Sequence, residues 1–308
     1  MEIIGILILV ISFIALLAIG VPVVYSIGIS ATLTLLVSIH LIPAFTTVAQ
    51  RISTGLDSFA LLAIPFFILA GQLMNRGGIA LRLIEFAKVL VGRLPGGLAF
   101  VNVLANMLFG AISGSAVASA SAIGSFMNPK MEKEGYDKSY TTAVNVTSAT
   151  TGLSIPPSNV LIVYSLAAGG LSIGALFIAG YIPGILTGLG IMAVAAAIAY
   201  RRNYPVAEKV TLKHGIFKFL DAIPSLGLIF VVIGGIIAGV FTATEAAGIA
   251  VVYTLILSFI YKEITIKDLP SILLRSVITS SIVLFLVGAS IGLSWVMSYQ
   301  NIPQSVAE

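Results

Sequence analysis

The sequence predicts an all-α polytopic membrane protein whose apolar helices are interrupted twice, once by a re-entrant helical hairpin and once by a broken helix. Three observations carry this. Of the 308 residues, 58% are hydrophobic and 9% charged, with a mean hydropathy of +1.12, whereas soluble domains carry charge on about 25% of their residues. Apolar runs of membrane-crossing length recur along the chain. Between them, "GAISGSAVASASAIGSFMNP" and "NVTSATTGLSIPPSNVLIVYS" place glycine, proline and hydroxyls where lipid-facing residues are expected.

With about 20 apolar residues per crossing, spans are expected near 3–20, 22–39, 58–74, 139–168, 174–200, 223–243, 245–261 and 276–297. The first run is longer than a signal-peptide core and Gly20-Val21-Pro22 leads directly into the next, so it reads as a retained helix. Ile79–Gly92 spaces Arg82, Glu85 and Lys88 on one helical face, with Ile79, Leu83, Phe86 and Leu90 on the other. That pattern predicts an interfacial helix. There is no cysteine, which excludes disulfides and thiolate metal sites.

Residues 97–112 and 115–129 are each about 15 residues, or roughly 23 Å as helix, short of the roughly 30 Å hydrocarbon core. Two such helices meeting at Ser113-Gly114-Ser115 form a hairpin whose tip stops inside the membrane. Backbone turning at that depth must face protein or a watery cavity, because lipid cannot satisfy its N–H and C=O groups. The tip is therefore a candidate binding site, with a helix N-terminus aimed at it. Ala116, Ala118, Ala120 and Ala122 read instead as close-packing positions.

Letting this hairpin enter and leave on one side puts every Lys and Arg except Arg51 on one membrane face, 15 against 1. Lys209 and Lys213 are among the 15. The positive-inside rule makes that face cytoplasmic and places the N-terminus outside. Because the basic residues are spread over loops, no nucleic-acid surface is expected.

Pro156-Pro157 removes two donors inside an apolar helix and frees carbonyls around Thr151–Ser154. Ser148, Thr150, Thr151, Ser154, Ser158 and Asn159 surround the break. Two interrupted elements lined by neutral oxygens suggest one shared site near the midplane. The centres of the spans carry no Asp, Glu, Lys, Arg or His; Asp57 and Glu245 sit at span ends as capping residues, and His40 at an interface. Proton relays need buried titratable groups, so the composition favours a cation held by carbonyls and hydroxyls, Na⁺ first.

A faint repeat aligns Glu85 with Glu308 and the opening helix pair with 223–261. An odd number of crossings between the copies would invert the second, an arrangement common among transporters. The counterpart of 96–131 would then begin near position 319, past the last residue. The expected organisation is a first scaffold segment (1–95), a transport element (96–168), a helix and linker (169–222) and the start of an inverted second repeat (223–308), the second half being truncated.

In this order, "LLAIPFFILAGQLMNRGG", "FGAISGSAVASASAIG", "SIPPSN", "LFIAGYIPGIL" and "GVFTATEAAGIAVVY" resemble the large membrane subunit of tripartite ATP-independent periplasmic (TRAP) transporters. The resemblance covers essentially the whole chain. It implies an inverted-repeat, elevator-type ion transporter in a bacterial or archaeal inner membrane, taking up an organic acid with Na⁺. It also implies two partners, a small membrane subunit and a periplasmic substrate-binding protein.

Carried over by motif, Ser113, Gly114, Ser115, Thr151 and Gly152 are the expected Na⁺ ligands beside the break at Pro156 and Pro157. Ser154, Ser158 and Asn159 are the expected substrate residues. Ser119 stands where the family often has Asp, and the family continues through a second hairpin and broken helix. A binding-protein-independent anion carrier and a non-transporting structural subunit are the alternatives. An intramembrane hydrolase is disfavoured because Ser113 and Ser115 have no buried base in the sequence to activate them.

Overall fold

A computed structural model describes residues 2–94, 96–205 and 212–307. Lys209 lies outside the described residues, as does the side chain of Lys213. The described elements are all helical. In order they are α1 (Glu2–Ala18), α2 (Val23–Leu35), α3 (Leu41–Leu56), a 3₁₀ turn at Phe59–Leu62, α4 (Ala63–Arg76), α5 (Ile79–Val91), α6 (Gly97–Ser113) and α7 (Ala116–Lys133). There follow α8 (Lys138–Ala149), α9 (Thr151–Ser154), α10 (Asn159–Ala167), α11 (Ile173–Arg201), α12 (Leu212–Ile237), α13 (Ala243–Ile260), a 3₁₀ turn at Ile266–Asp268, α14 (Leu269–Tyr299) and α15 (Ile302–Ala307).

Among the described residues five segments are long and apolar enough to cross a bilayer: Phe59–Arg76, Ile173–Arg201, Gly215–Ile237, Ala243–Ile260 and Ile266–Tyr299. The expected span 22–39 is occupied by only 13 helical residues, because α2 stops at Leu35. The expected span 139–168 divides into α8, α9 and α10 around the two prolines. Glu245 caps its helix as expected, closing a reciprocal box with Thr242 in which the Thr242 backbone N–H donates to Oε2 at 2.8 Å. Asp57 occupies the C-cap of α3, and His40 the N-cap position.

Contacts divide the chain into two compact units, Leu62–Val277 and the pair Met1–Leu61 with Ile278–Glu308. In the second, α3 is a helix outside the expected spans. Ala44 and Val48 on α3 join Ala31, Leu35 and Val296 in a core with Ile52 packed against it. Arg51 stacks 4.6 Å from the Trp295 ring centroid, and Gln300 donates to the Ser38 hydroxyl at 2.8 Å.

The larger unit holds the hairpin and the break. α5 buries Ile79, Leu83 and Phe86 as the periodicity predicts, together with Ala80, Ile84 and Ala87. Leu90, assigned to the same face, is 57% exposed. The reason is local, since Leu90 belongs to the last turn of α5 and the covering partners engage the earlier turns, as Phe86 does with Phe219 of α12 at 5.8 Å. The polar face is tied down as well. Arg82 bonds Asp221 at 3.2 Å and lies 3.5 Å from the Tyr261 centroid, while Glu85 faces Lys130 and Lys218 at 3.9 Å each.

Candidate functional site

α6 and α7 form the hairpin, and the turn between them is dictated by Gly114. Its φ of +60° is one that L side chains rarely adopt, and it caps α6 by donating its N–H to the Gly110 carbonyl at 2.9 Å. A Cβ there would lie 2.9 Å from the Pro157 carbonyl oxygen and 3.2 Å from the Asn159 nitrogen. Thus the tip is seated on the break, and the Asn159 N–H donates to the Gly114 carbonyl at 3.4 Å.

Ser115 and Ser158 are the N-caps of α7 and α10. The Ser115 hydroxyl accepts from the Ala118 N–H at 3.3 Å, and the Ser158 hydroxyl accepts from the Leu161 N–H at 3.4 Å. Ser158 also donates to the Leu153 carbonyl, one of the acceptors released where α9 ends. Two helix N-termini, each carrying partial positive charge, therefore start beside one another.

Below the tip, α6 and α9 touch main chain to main chain. A Cβ on Gly152 would sit 2.8 Å from the Gly110 Cα. Two further glycines on α11 admit the break from the other side: a Cβ on Gly180 would lie 2.5 Å from the Ser154 carbonyl oxygen, and one on Gly184 2.5 Å from Ile155 Cγ1. Hence the Ser154 carbonyl is directed at α11. On α4, a Cβ at Gly71 would meet Ser113 Cβ at 3.0 Å.

Buried polar atoms normally find a partner. Among the described residues four buried side-chain oxygens have none, and two of them, Ser113 Oγ and Asn159 Oδ1, flank the joint between tip and break. Thr151 is fully buried and donates to the Ser148 carbonyl at 2.6 Å, which leaves its oxygen lone pairs available. No group of three His, Cys, Asp or Glu suited to a metal ion occurs among the described residues. The chemistry on offer is that of neutral hydroxyl, amide and carbonyl oxygens, which suits a hard cation.

A buried polar network beneath this joint was not foreseen. Asn106 Nδ2 lies 2.7 Å from Asn102 Oδ1, 2.9 Å from Ser148 Oγ and 3.2 Å from Asn145 Oδ1. Ser119 donates to Asn106 Oδ1 at 2.7 Å, and Asn145 donates to the Ala120 carbonyl at 2.9 Å. The four-residue spacing of Asn102, Asn106 and Gly110, with Ser113 three further on, sets them on one face of α6. Two asparagines one turn apart in "FVNVLANMLFG" were the available signal.

A hairpin tip seated on a proline break, with unpartnered oxygens at the joint, is an arrangement to compare with known proteins. The family described as "Tripartite ATP-independent periplasmic transporter, DctM component" matches residues 10–308. The chain belongs to this family. The YgiK protein of Salmonella typhimurium, described as uncharacterized, is 58% identical over 96% of this chain and 68% of its own length. The C4-dicarboxylate TRAP transporter large permease of Rhodobacter capsulatus is 39% identical over 96% of this chain and 70% of its own. A sialic acid TRAP transporter large permease of Vibrio cholerae is 36% identical over 84% of this chain and 61% of its own. As a DctM component the chain is a membrane transport subunit and not an enzyme.

Proposed function

We propose that this DctM chain is the large membrane subunit of a binding-protein-dependent transporter in the bacterial or archaeal inner membrane, coupling uptake of an organic acid to Na⁺. The observation that carries the reading is the pair of buried, unpartnered oxygens, Ser113 Oγ and Asn159 Oδ1, on either side of the contact between Gly114 and Asn159. A buried polar atom without a partner costs on the order of 1–3 kcal/mol, and a cation at this joint, taking a lone pair from each oxygen, would remove that cost.

Ser113, Gly114, Ser115, Thr151 and Gly152 would hold Na⁺, mostly through backbone carbonyls and hydroxyls. Asn159, through its side-chain amide N–H, would orient the substrate carboxylate, with Ser158 and Ser154 beside it. Attraction for that anion comes from the bound cation and from the N-termini of α7 and α10. Relatives named for C4-dicarboxylate and sialic acid support a carboxylate as the common element of the substrate.

The mobile element of an elevator would be residues 96–168, with the N-terminus on the outer side. The paired helices α1–α2 and α12–α13 support an inverted second repeat, because each pair is followed by a further helix, α3 and α14. A small membrane subunit and a periplasmic binding protein complete the assembly.

The test is reconstitution of the complete permease with both partners, followed by uptake of labelled organic acids with and without an inward Na⁺ gradient. Accumulation that needs both Na⁺ and the binding protein is expected. Ser115→Ala combined with Thr151→Ala should weaken Na⁺ dependence. Uptake driven by a proton gradient alone, or unchanged Na⁺ affinity in the double variant, would overturn the assignment.

A further inference from the structure

A second feature of the larger unit lies away from the joint. Between α8 and α11 runs a groove of about 410 Å³ lined by Tyr140, Val144, Thr147, Thr187, Ile191 and Val194, with Gly190 and Ile198 completing its α11 wall. Its few polar atoms are already engaged. Thr147 donates to the Ala143 carbonyl at 2.7 Å, Thr187 to the Pro183 carbonyl at 2.8 Å and Tyr140 to the Ala195 carbonyl at 2.8 Å. A polar ligand would gain nothing from this lining, whereas an apolar one would.

The length and the rim narrow the choice. From Thr187 to Ile198 the wall rises about 16 Å, half of the roughly 30 Å hydrocarbon core and so the depth of one leaflet. One turn beyond Ile198 come Arg201 and Arg202, at the end of a candidate membrane span. One turn before Tyr140 comes Asp137, which pairs with Arg202. Tyr136, Tyr140 and Tyr204 stack around this end, with Tyr136 and Tyr204 4.5 Å apart.

Tyr136 donates to the Pro205 carbonyl at 2.9 Å, and burial pushes its phenol up to about 12, so it remains a donor. Across 130–138 and 201–202 the sequence holds five cationic and three acidic side chains, and with Lys130 engaged by Glu85 four cations remain against three acids. Arg201, three residues beyond Ile198, continues the groove face of α11 and is exposed. An aromatic cluster with surplus positive charge, set where a span ends, is what a bilayer headgroup region selects.

The geometry points to an anionic phospholipid, with one acyl chain in the α8–α11 groove and its phosphate at Arg201. The apolar groove ends at Ile198, one turn before Arg201, a spacing that fits a lipid and not a free phosphate.

The experiment uses the purified chain in mild detergent, offered phosphatidylglycerol or phosphatidylethanolamine and read by native mass spectrometry. One phosphatidylglycerol should be retained in preference to phosphatidylethanolamine. Arg201→Gln should reduce that retention roughly fivefold, the effect of losing one surface cation, and Arg201→Lys should restore it. Gly190→Leu should block the chain, since nothing lies within 4 Å of a Cβ there. Should that variant fail to fold, a phosphatidylglycerol carrying a photoreactive acyl chain gives the same information, and its adducts should map to 140–147 and 187–198.

Equal retention of the two lipids, adducts only elsewhere, or displacement by excess inorganic phosphate would each overturn the site. None of these readouts depends on Na⁺ or substrate, so the lipid site and the transport site fail separately.

Discussion

At the scale of single residues, the site rests on atoms that make no bond and on atoms that do not exist. Ser113 Oγ is buried and unpartnered, so Ser113→Ala should raise thermal stability without Na⁺ by up to about 1–3 kcal/mol while raising the Na⁺ concentration for half-maximal uptake roughly tenfold, the loss of about 1.4 kcal/mol of binding. A matching loss of stability would mean that the hydroxyl is structural. Gly152 works by lacking a side chain. Gly152→Ala forces a Cβ to within 2.8 Å of the Gly110 Cα, and overpacking of this kind costs about 1–3 kcal/mol. Gly28→Ala is the control, because a Cβ there meets nothing within 4 Å. Melting curves in detergent separate the two, and equal melting points would remove the argument for backbone contact.

At the scale of elements, α6, α7 and α8 are joined by amide and hydroxyl bonds that pass through Asn106. Ser119→Ala would leave Asn106 Oδ1 without the donor now at 2.7 Å, at an expected loss of about 1–2 kcal/mol in stability; an unchanged melting point would show that the oxygen finds another donor. The elements also mark what could be read from residue order. The hairpin was legible because two short apolar runs flank Ser113-Gly114-Ser115, and the break because two prolines interrupt a long one.

Other elements were less visible. The helix α3 was missed although Ala44, Val48 and Ile52 recur at helical spacing, since Thr, Gln and Arg between them dilute the apolar signal below that of a span. The asparagine network was less accessible still. Its partners are separated by 39 and 42 residues, and only the packing of three helices brings them together. The exposure of Leu90 likewise depends on where the covering helices end, which no periodicity encodes.

At the scale of the whole molecule, the absence of cysteine makes orientation directly measurable. Gln50 and Lys133 are both exposed. In intact cells a membrane-impermeant maleimide should label Gln50→Cys, and should reach Lys133→Cys only after the membrane is permeabilised. The opposite pattern would invert the topology inferred from the basic residues. Many large apolar side chains on α11, among them Ile182, Leu186 and Val194, are more than 60% exposed, as expected of a surface that meets lipid or other subunits and not water.

The crossing of Gly110 and Gly152 has a mechanical meaning. Side chains between two helices act as compliant spacers, since rotamer changes let the helices slide; here the spacer is missing and main chain bears on main chain. A force applied to the hairpin is therefore transmitted to the broken helix with almost no slack. Whatever displacement the hairpin undergoes, the carbonyls of the break travel with it, and an ion held between the two would be carried without being let go.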